Sequence, residues 1–229
     1  DITFAELELS GNEYQRPHEK LLEVIPQHES LVRRYLNGEK ELQDQIATAQ
    51  GQVDAAMQAL RAVDSRMGKR LQFTTDGLSK RKRDHNRYET LAQEWQELKS
   101  RLWSLEIGRS DQAHAHLIAD VRTMITHVGD TSNLILDPNL DSYYLMDAML
   151  LALPQTQDRL TSILTLGQDL LAGKDAGAND RVRLAVAAAL LKESDVGRIA
   201  SDVQTSLNEG HQLFANLAGV RLTHVPYKG

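Results

Sequence analysis

An apolar residue recurs every three or four positions along the first half of this chain, and that spacing constrains the fold more than any other feature. The pattern is clearest over residues 42–71, where it comprises Leu42, Ile46, Ala49, Val53, Met57, Leu60, Val63, Met67 and Leu71. Such spacing places one apolar side chain per turn on one face of an α-helix, with polar residues on the other faces. It predicts a single long helix that continues back to about Glu19 and packs lengthwise against antiparallel helices.

Three more helices follow from the same periodicity. The second covers residues 88–128, with residues 107–111 as a candidate bend or break within it. The third begins near Leu140 and the fourth begins near Asp180. Turn-forming residues at 73–77, 136–139 and 173–180 separate the four segments. Because only 5% of the residues are aromatic and no strand-type alternation exceeds five residues, the composition favours helices over sheets.

The predicted fold is therefore all-α, an elongated antiparallel helical bundle of about four long helices. The first pair is expected to be longer than the second and to extend beyond it as a hairpin. Residues 1–219 form a single elongated domain in this prediction, with two stacked sub-bundles as an alternative division. Residues 220–229 lack periodicity and are predicted to be an extended or disordered tail. The chain opens at Asp1 without a charged and then apolar leader, as expected of a mature or excised fragment.

Side chains suited to catalysis or metal binding are few. The chain contains no cysteine, which excludes disulfides, thiolate metal sites and cysteine nucleophiles. His114 and His116 are two positions apart and point to different faces of a helix, whereas His116 and Asp120 are four apart and share one face. Two ligands fall short of the three or four that a tight metal site needs. The sequence therefore predicts no catalytic residue, no metal site and no cofactor.

Two polar segments supply the candidate ligand contacts. In the first, residues 13–18 (EYQRPH), an arginine beside a tyrosine could bind a carboxylate through two hydrogen bonds, or it could form an ion pair at a bundle end. The second, residues 129–147, is predicted to be either a capped corner between helices or a polar ligand pocket. The candidate ligand contacts are Tyr14, Arg16, Asn133, Tyr143 and Tyr144.

The one basic run is KRKR at residues 80–83, followed by Arg87. It could contact phosphate or nucleic acid, but a solvated helix tip is the favoured interpretation because no aromatic residues are interleaved. The net charge of −6 also argues against a nucleic-acid surface, so no nucleic-acid partner is predicted.

Residues 129–147, which read GDTSNLILDPNLDSYYLMD and are followed by Leu153 and Pro154, resemble a signature of extracytoplasmic sensor regions in bacterial transmembrane receptors. Those receptors are methyl-accepting chemotaxis proteins and sensor histidine kinases. Four shorter stretches are similar to other parts of these regions: EYQRP at 13–17, PQH at 26–28, AVD at 62–64 and EWQELK at 94–99.

The resemblance implies a periplasmic, all-helical sensory input domain of an inner-membrane protein, anchored by membrane spans outside this chain. It further implies a small-molecule or protein stimulus, signal relay by helix displacement, and a homodimer in the full-length receptor. The residues themselves leave two other interpretations open. One is a non-sensory, coiled-coil-like structural or protein-interaction domain, and the other is a helical nucleic-acid-binding protein that uses residues 80–83.

Overall fold

The computed structural model describes residues 2–134, 140–171 and 178–217, with side chains over 5–134, 143–171 and 179–210. Every regular element in these residues is helical, which confirms the all-α prediction. Among these helices, none combines the length and the hydropathy of a membrane span. The predicted tail at 220–229 and the predicted break at 136–139 lie outside the described residues. The α-helices in chain order are α1 (Ile2–Leu36), α2 (Gln43–Met67), α3 (Thr75–Ser79), α4 (Tyr88–Arg101), α5 (Ile107–Thr131), α6 (Leu140–Asp147), α7 (Leu153–Leu171), α8 (Ala178–Leu190) and α9 (Gly197–Leu217).

The first predicted helix is two helices, α1 and α2. α1 passes through Pro17 and Pro26 and ends at Leu36. The chain then turns at Gly38, whose φ of 121° is open to glycine and strained for other residues. The prediction of one continuous helix from Glu19 to residue 71 is wrong, because the apolar spacing continues across this turn while the backbone reverses.

The second predicted helix, over 88–128, is also two helices. Leu105 and Glu106 adopt extended backbone between the short 3₁₀ turn after α4 and the start of α5 at Ile107. α5 then returns antiparallel to α4, because Asn86 and Glu94 meet Asp120 and His116. Since both members of the predicted first pair fold back on themselves, the arrangement with a projecting first hairpin is not confirmed.

α1, α2, α4 and α5 form a four-helix bundle, here called the N-terminal bundle (residues 2–134). α1 packs along α2 on one side and α5 on the other, while α4 packs against both α2 and α5. Antiparallel pairing brings Tyr14 to Asp64 and Tyr35 to Gln43. The fully buried Trp95 reaches from α4 into the centre of the bundle. The predicted stripe of α2 supplies its buried face: Leu42, Ile46, Ala49, Val53, Met57, Leu60 and Val63.

Residues 140–171 and 178–217 form the C-terminal hairpin. α6 continues into α7 through a π-helical turn at Ala148–Ala152, immediately before Pro154. A proline has no N–H to donate and its ring clashes with the preceding turn, which explains the local change from α- to π-helical bonding. A second π-helical turn, Leu191–Val196, joins α8 to α9. The two long helices run antiparallel and are joined by an ion pair from Arg198 to Asp147.

The C-terminal hairpin packs against one side of the N-terminal bundle. α7 runs parallel to α1, and the Gln168 side-chain amide donates to the Ser30 hydroxyl at 2.7 Å. At the other end of α1, Gly11 packs closely against Ser132 and Leu134, which precede α6. α9 runs back along α6, so the start of α1 and the end of α9 lie at the same end of the molecule.

Candidate functional site

Tyr14, the first predicted ligand contact, lies in the core of the N-terminal bundle with no exposed surface. Its hydroxyl donates a 2.6 Å hydrogen bond to Asp64 Oδ1, and its ring stacks on Phe73 with 4.6 Å between centroids. Burial and the neighbouring Asp64 raise the pKa of Tyr14, so the hydroxyl stays protonated and keeps donating. These contacts make Tyr14 a structural link between α1 and α2, and its contact with a ligand stays a prediction.

The other four predicted contacts lie nearer the surface, in separate surroundings. Arg16 is exposed and, with Met149, lines an open cleft of about 590 Å³ between α1 and the π-helical turn after α6. Tyr143 lines a different, smaller cavity of about 120 Å³ and meets Tyr144 edge to face, with ring centroids 5.5 Å apart. Asn133 is half-buried and has a φ of 62°, a left-handed conformation that asparagine tolerates. A shared pocket for these residues stays a prediction.

A polar cleft between α5, α7 and α8 was not predicted from the sequence. It has a volume of about 620 Å³ and lies where the N-terminal bundle meets the C-terminal hairpin. Beside it, the nearly buried Arg33 forms ion pairs with Asp111 of α5 and Asp169 of α7. Burial, with a smaller contribution from Asp111, raises the pKa of Glu29 in this cleft to about 7. Glu29, Asp111 and Asp169 come from three different helices, so no local spacing in the sequence predicts that they lie together.

Two histidines are in contact inside the N-terminal bundle. His28 Nδ1 lies 2.8 Å from His114 Nε2, and His114 Nδ1 lies 2.7 Å from the Ser110 carbonyl oxygen. The His28 ring also packs edge-on against Trp95. Burial lowers the pKa of His28 to about 3 and that of His114 to about 4, so both imidazoles are neutral at physiological pH. The pair belongs to the core, although His28 Nε2 is buried without a hydrogen-bond partner among the described residues.

Two other histidines and two carboxylates gather at one side of the bundle, and we call them the His/carboxylate cluster: His85, Glu94, His116 and Asp120. His85 Nε2 lies 3.0 Å from Glu94 Oε1 and 3.2 Å from Asp120 Oδ2. His116 Nε2 lies 3.3 Å and 3.5 Å from the same two oxygens. One donor atom from each residue falls within 4.8 Å of all the others, which is the spacing of a metal-ion site.

Three short pieces of the chain position this cluster. His116 and Asp120 are one turn apart on α5 and share a face, as the sequence predicts. Glu94 extends from the facing side of α4, and His85 comes from the turn before α4. Asn86, next to His85, donates a buried 2.9 Å hydrogen bond to Asp120 Oδ1 and so orients that carboxylate.

The electrostatics of the cluster favour a cation. Burial is the largest effect on Asp120 and raises its pKa, and the nearby Glu94 carboxylate adds to the increase while the two histidines oppose it. Glu94 Oε2 is buried and accepts no hydrogen bond from the part of the chain that the structure describes. Two carboxylates at this separation repel each other unless a proton or a cation lies between them.

The sequence shows only two of the four residues of this cluster as a pair, and two ligands alone did not predict a metal site. His116 and Asp120 were recognised as a pair on one helical face, but the third and fourth ligands lie 22 or more positions earlier in the chain. Only the antiparallel packing of α4 on α5 brings them together, and that register depends on the break at Leu105.

The basic run at 80–83 lies in the turn between α3 and α4. Arg83 forms an ion pair with Asp130 at 2.7 Å, and Arg81 donates to the Gln72 side-chain oxygen at 2.9 Å. Lys80 and Lys82 are exposed. The two arginines therefore bond to the end of the bundle while the two lysines face solvent, which agrees with the interpretation of a solvated tip.

Comparison with protein-family models, with curated proteins and with solved structures finds no match to this chain.

Proposed function

We propose that this chain is the periplasmic sensory input domain of a bacterial transmembrane receptor, a chemotaxis receptor or a sensor histidine kinase. The observation that carries the proposal is the position of residues 129–134, the described start of the receptor-like segment. They sit against α1 at the end of the molecule where α1 begins and α9 ends. A receptor anchored by two membrane spans needs its first and last sensory helices to reach one end together. In this proposal the domain is an elongated antiparallel bundle that stands with this end toward the membrane.

Signal relay would use the contact between the N-terminal bundle and the C-terminal hairpin. The cleft between α5, α7 and α8 is lined by side chains of both units. A ligand that binds one arrangement of α7 against α5 more tightly would shift the equilibrium toward it. Packed helices have discrete arrangements about 1–2 Å apart, which is enough to displace α9 at the membrane end.

The polar lining of this cleft indicates a small molecule that carries charge. Glu29 is buried there with one carboxylate oxygen, Oε2, that has no hydrogen-bond partner among the described residues. Arg122 also lines the cleft, in an ion pair with Asp158. A ligand with an amino group could contact Glu29, and a ligand carboxylate could contact Arg122.

A thermal-shift screen of amino acids, organic acids and amines tests this proposal. A ligand should raise the melting temperature in proportion to the logarithm of its concentration above its Kd. Glu29→Gln should weaken its binding at least about tenfold, the effect of losing one charged hydrogen bond. Glu23→Gln, on the exposed face of the same helix, is the matched control and should bind as the wild type does. A screen in which no compound binds, or equal binding by Glu29→Gln, would remove the support for ligand sensing at this cleft.

One observation favours the alternative of a protein-interaction domain. If the chain is a sensor, the same observation indicates an additional protein interface. The C-terminal hairpin exposes a set of apolar side chains that includes Leu160, Leu164, Val186 and Val203. Two helices with an exposed apolar face form half of a four-helix bundle, and a second copy related by a two-fold axis would supply the other half. We therefore propose that the hairpin is the homodimer interface. A rod that only binds other proteins would show this surface and no ligand in the screen.

A further inference from the structure

We propose that the His/carboxylate cluster, His85, Glu94, His116 and Asp120, binds one divalent metal ion of the zinc class. This site would join the turn before α4, α4 itself and α5. It lies apart from the cleft beside α7, and it does not depend on the sensory role.

Four of the six separations between the donor atoms fit tetrahedral coordination. Zinc binds imidazole nitrogen and carboxylate oxygen at about 2.0–2.2 Å, which places neighbouring ligands of a tetrahedron about 3.3–3.6 Å apart. The four nitrogen–oxygen distances in the cluster are 3.0, 3.2, 3.3 and 3.5 Å. These are four of the six edges of such a tetrahedron, and the other two, between the imidazole nitrogens and between the carboxylate oxygens, are within 4.8 Å.

The donor set selects the class of metal. Two imidazoles and two carboxylates suit zinc and neighbouring transition metals, whereas calcium and magnesium prefer six or more oxygen ligands. Two carboxylates with two neutral imidazoles carry a charge of −2, which a divalent cation neutralises. The hydrogen bond from Asn86 fixes the orientation of the Asp120 carboxylate, as hydrogen bonds to metal-binding carboxylates usually do.

Access to the site is open on the histidine side. The side chains of His85 and His116 are 47% and 53% exposed, while those of Glu94 and Asp120 are 25% and 10% exposed. A metal ion can therefore enter from solvent past the two half-exposed imidazoles and contact carboxylates that lie deeper on the helices.

The competing explanation is an ion-pair network of protonated histidines with the same carboxylates. It predicts the same distances without any metal, so the test must measure metal binding directly. The full chain, without a histidine tag and stripped with EDTA, is titrated with Zn²⁺ against a chromophoric chelator, and separately with Co²⁺. Wild-type protein should bind one Zn²⁺ per chain, and Co²⁺ should give the strong visible absorption of a tetrahedral site.

Four variants identify the ligands. Loss of a group that hydrogen-bonds to a metal ligand weakens binding roughly 10–100-fold, and Asn86→Ala should fall within that range. His116→Ala and Glu94→Gln, which remove ligands, should each weaken Zn²⁺ binding by more. Glu97→Gln, one turn along α4 and exposed, makes the same charge change and should bind like the wild type. Melting curves in EDTA establish that each variant is folded before its affinity is compared.

Two results would overturn the proposal. One is wild-type protein that takes up no Zn²⁺ from the chelator. The other is uptake that is equal in the wild type, His116→Ala and Glu94→Gln, which would place the metal elsewhere on the chain. A weak Co²⁺ spectrum with one bound ion would exclude the tetrahedral assignment as well.

Discussion

The N-terminal bundle and the C-terminal hairpin are both built from amphipathic helices, yet they bury their apolar faces to very different extents. Among the described side chains, all but three of the buried apolar ones belong to the bundle. In the hairpin, Leu160, Leu164 and Val186 remain 48–51% exposed. The same periodicity thus gives a buried apolar core in the bundle and an apolar face that stays about half exposed in the hairpin.

Polar contacts hold much of the hairpin together. Arg159 pairs with the nearly buried Asp195, and Arg198 pairs with Asp147. An exposed ion pair such as that of Arg198 with Asp147 contributes about 0–1 kcal/mol, whereas a buried leucine side chain contributes about 1.5–3 kcal/mol. The comparison indicates that the bundle is self-sufficient, while the hairpin depends on the bundle and on whatever covers its outer face.

The largest expected difference between the units is the cost of removing one leucine side chain. Leu60→Ala, in the bundle core, should lower the free energy of unfolding by about 2–5 kcal/mol because it leaves a cavity. Leu164→Ala, in the hairpin, should change it by at most about 0.5 kcal/mol in the monomer. Guanidinium denaturation followed by circular dichroism measures both values.

Protein concentration sharpens this test. If a second copy covers the hairpin, the cost of Leu164→Ala should rise with concentration as dimers form, and the cost of Leu60→Ala should not. Light scattering establishes the oligomeric state at each concentration. A concentration-independent cost for Leu164→Ala, with a monomer throughout, would contradict the proposed interface.

Helix content and the buried face of α2 could be predicted from the sequence because both depend on local spacing. The apolar positions from Leu42 to Val63 are buried as predicted. The two chain reversals do not follow from the apolar spacing, which continues across both; Gly38 and residues 107–111 are weak points for a helix in the sequence, but nothing local shows that the chain reverses there. In the hairpin, Leu164 and Val186 were predicted equally well as apolar positions, but periodicity does not reveal whether a partner covers them.

The candidate sites were less predictable for the same physical reason. A pair such as His116 and Asp120 is visible in sequence because one helix holds both. Glu94 joins them only through the register between α4 and α5, and Glu29 meets Asp111 only through the register between α1 and α5. Tyr14 illustrates the other limit of sequence patterns: it lies in a polar, aromatic segment, yet its side chain packs inward, and the sequence does not show which way it points.

The second largest expected difference between the two units is the loss of stability at acid pH. Burial lowers the pKa of His18 to about 4, of His28 to about 3 and of His114 to about 4. A histidine in the unfolded chain has a pKa near 6.5, so below that pH the unfolded bundle binds protons that the folded bundle does not. The free energy of unfolding should therefore fall by on the order of 5 kcal/mol between pH 7 and pH 5. Glu29 opposes this, because its folded pKa of about 7 lets the folded state bind a proton first and regain about 2 kcal/mol.

The expected net loss from these four groups is on the order of 3 kcal/mol. No histidine is present among the described side chains of the hairpin, and burial raises the pKa of Asp202 there, so acid should not weaken it in the same way. Denaturation at pH 7 and pH 5, followed by fluorescence of Trp95 and Trp103, reports on the bundle alone. His18→Gln should remove about a third of the histidine contribution, and an unchanged acid loss in that variant would contradict the assignment.

The smallest expected changes in stability come from replacing glycine with alanine in each of the two units. Gly11→Ala should destabilise the protein by about 1–3 kcal/mol, because the new Cβ would clash with Ser132 Cβ and lie 2.9 Å from Leu134 Cδ1. Gly167→Ala, in α7, meets open space and should stabilise by about 0.5–1 kcal/mol through the lower entropy of the unfolded chain. Gly51→Ala, which also meets open space but lies in the bundle, should stabilise to the same degree. Thermal melts decide the outcome, and a stabilising Gly11→Ala would mean that α1 does not pack tightly against the residues that lead into α6.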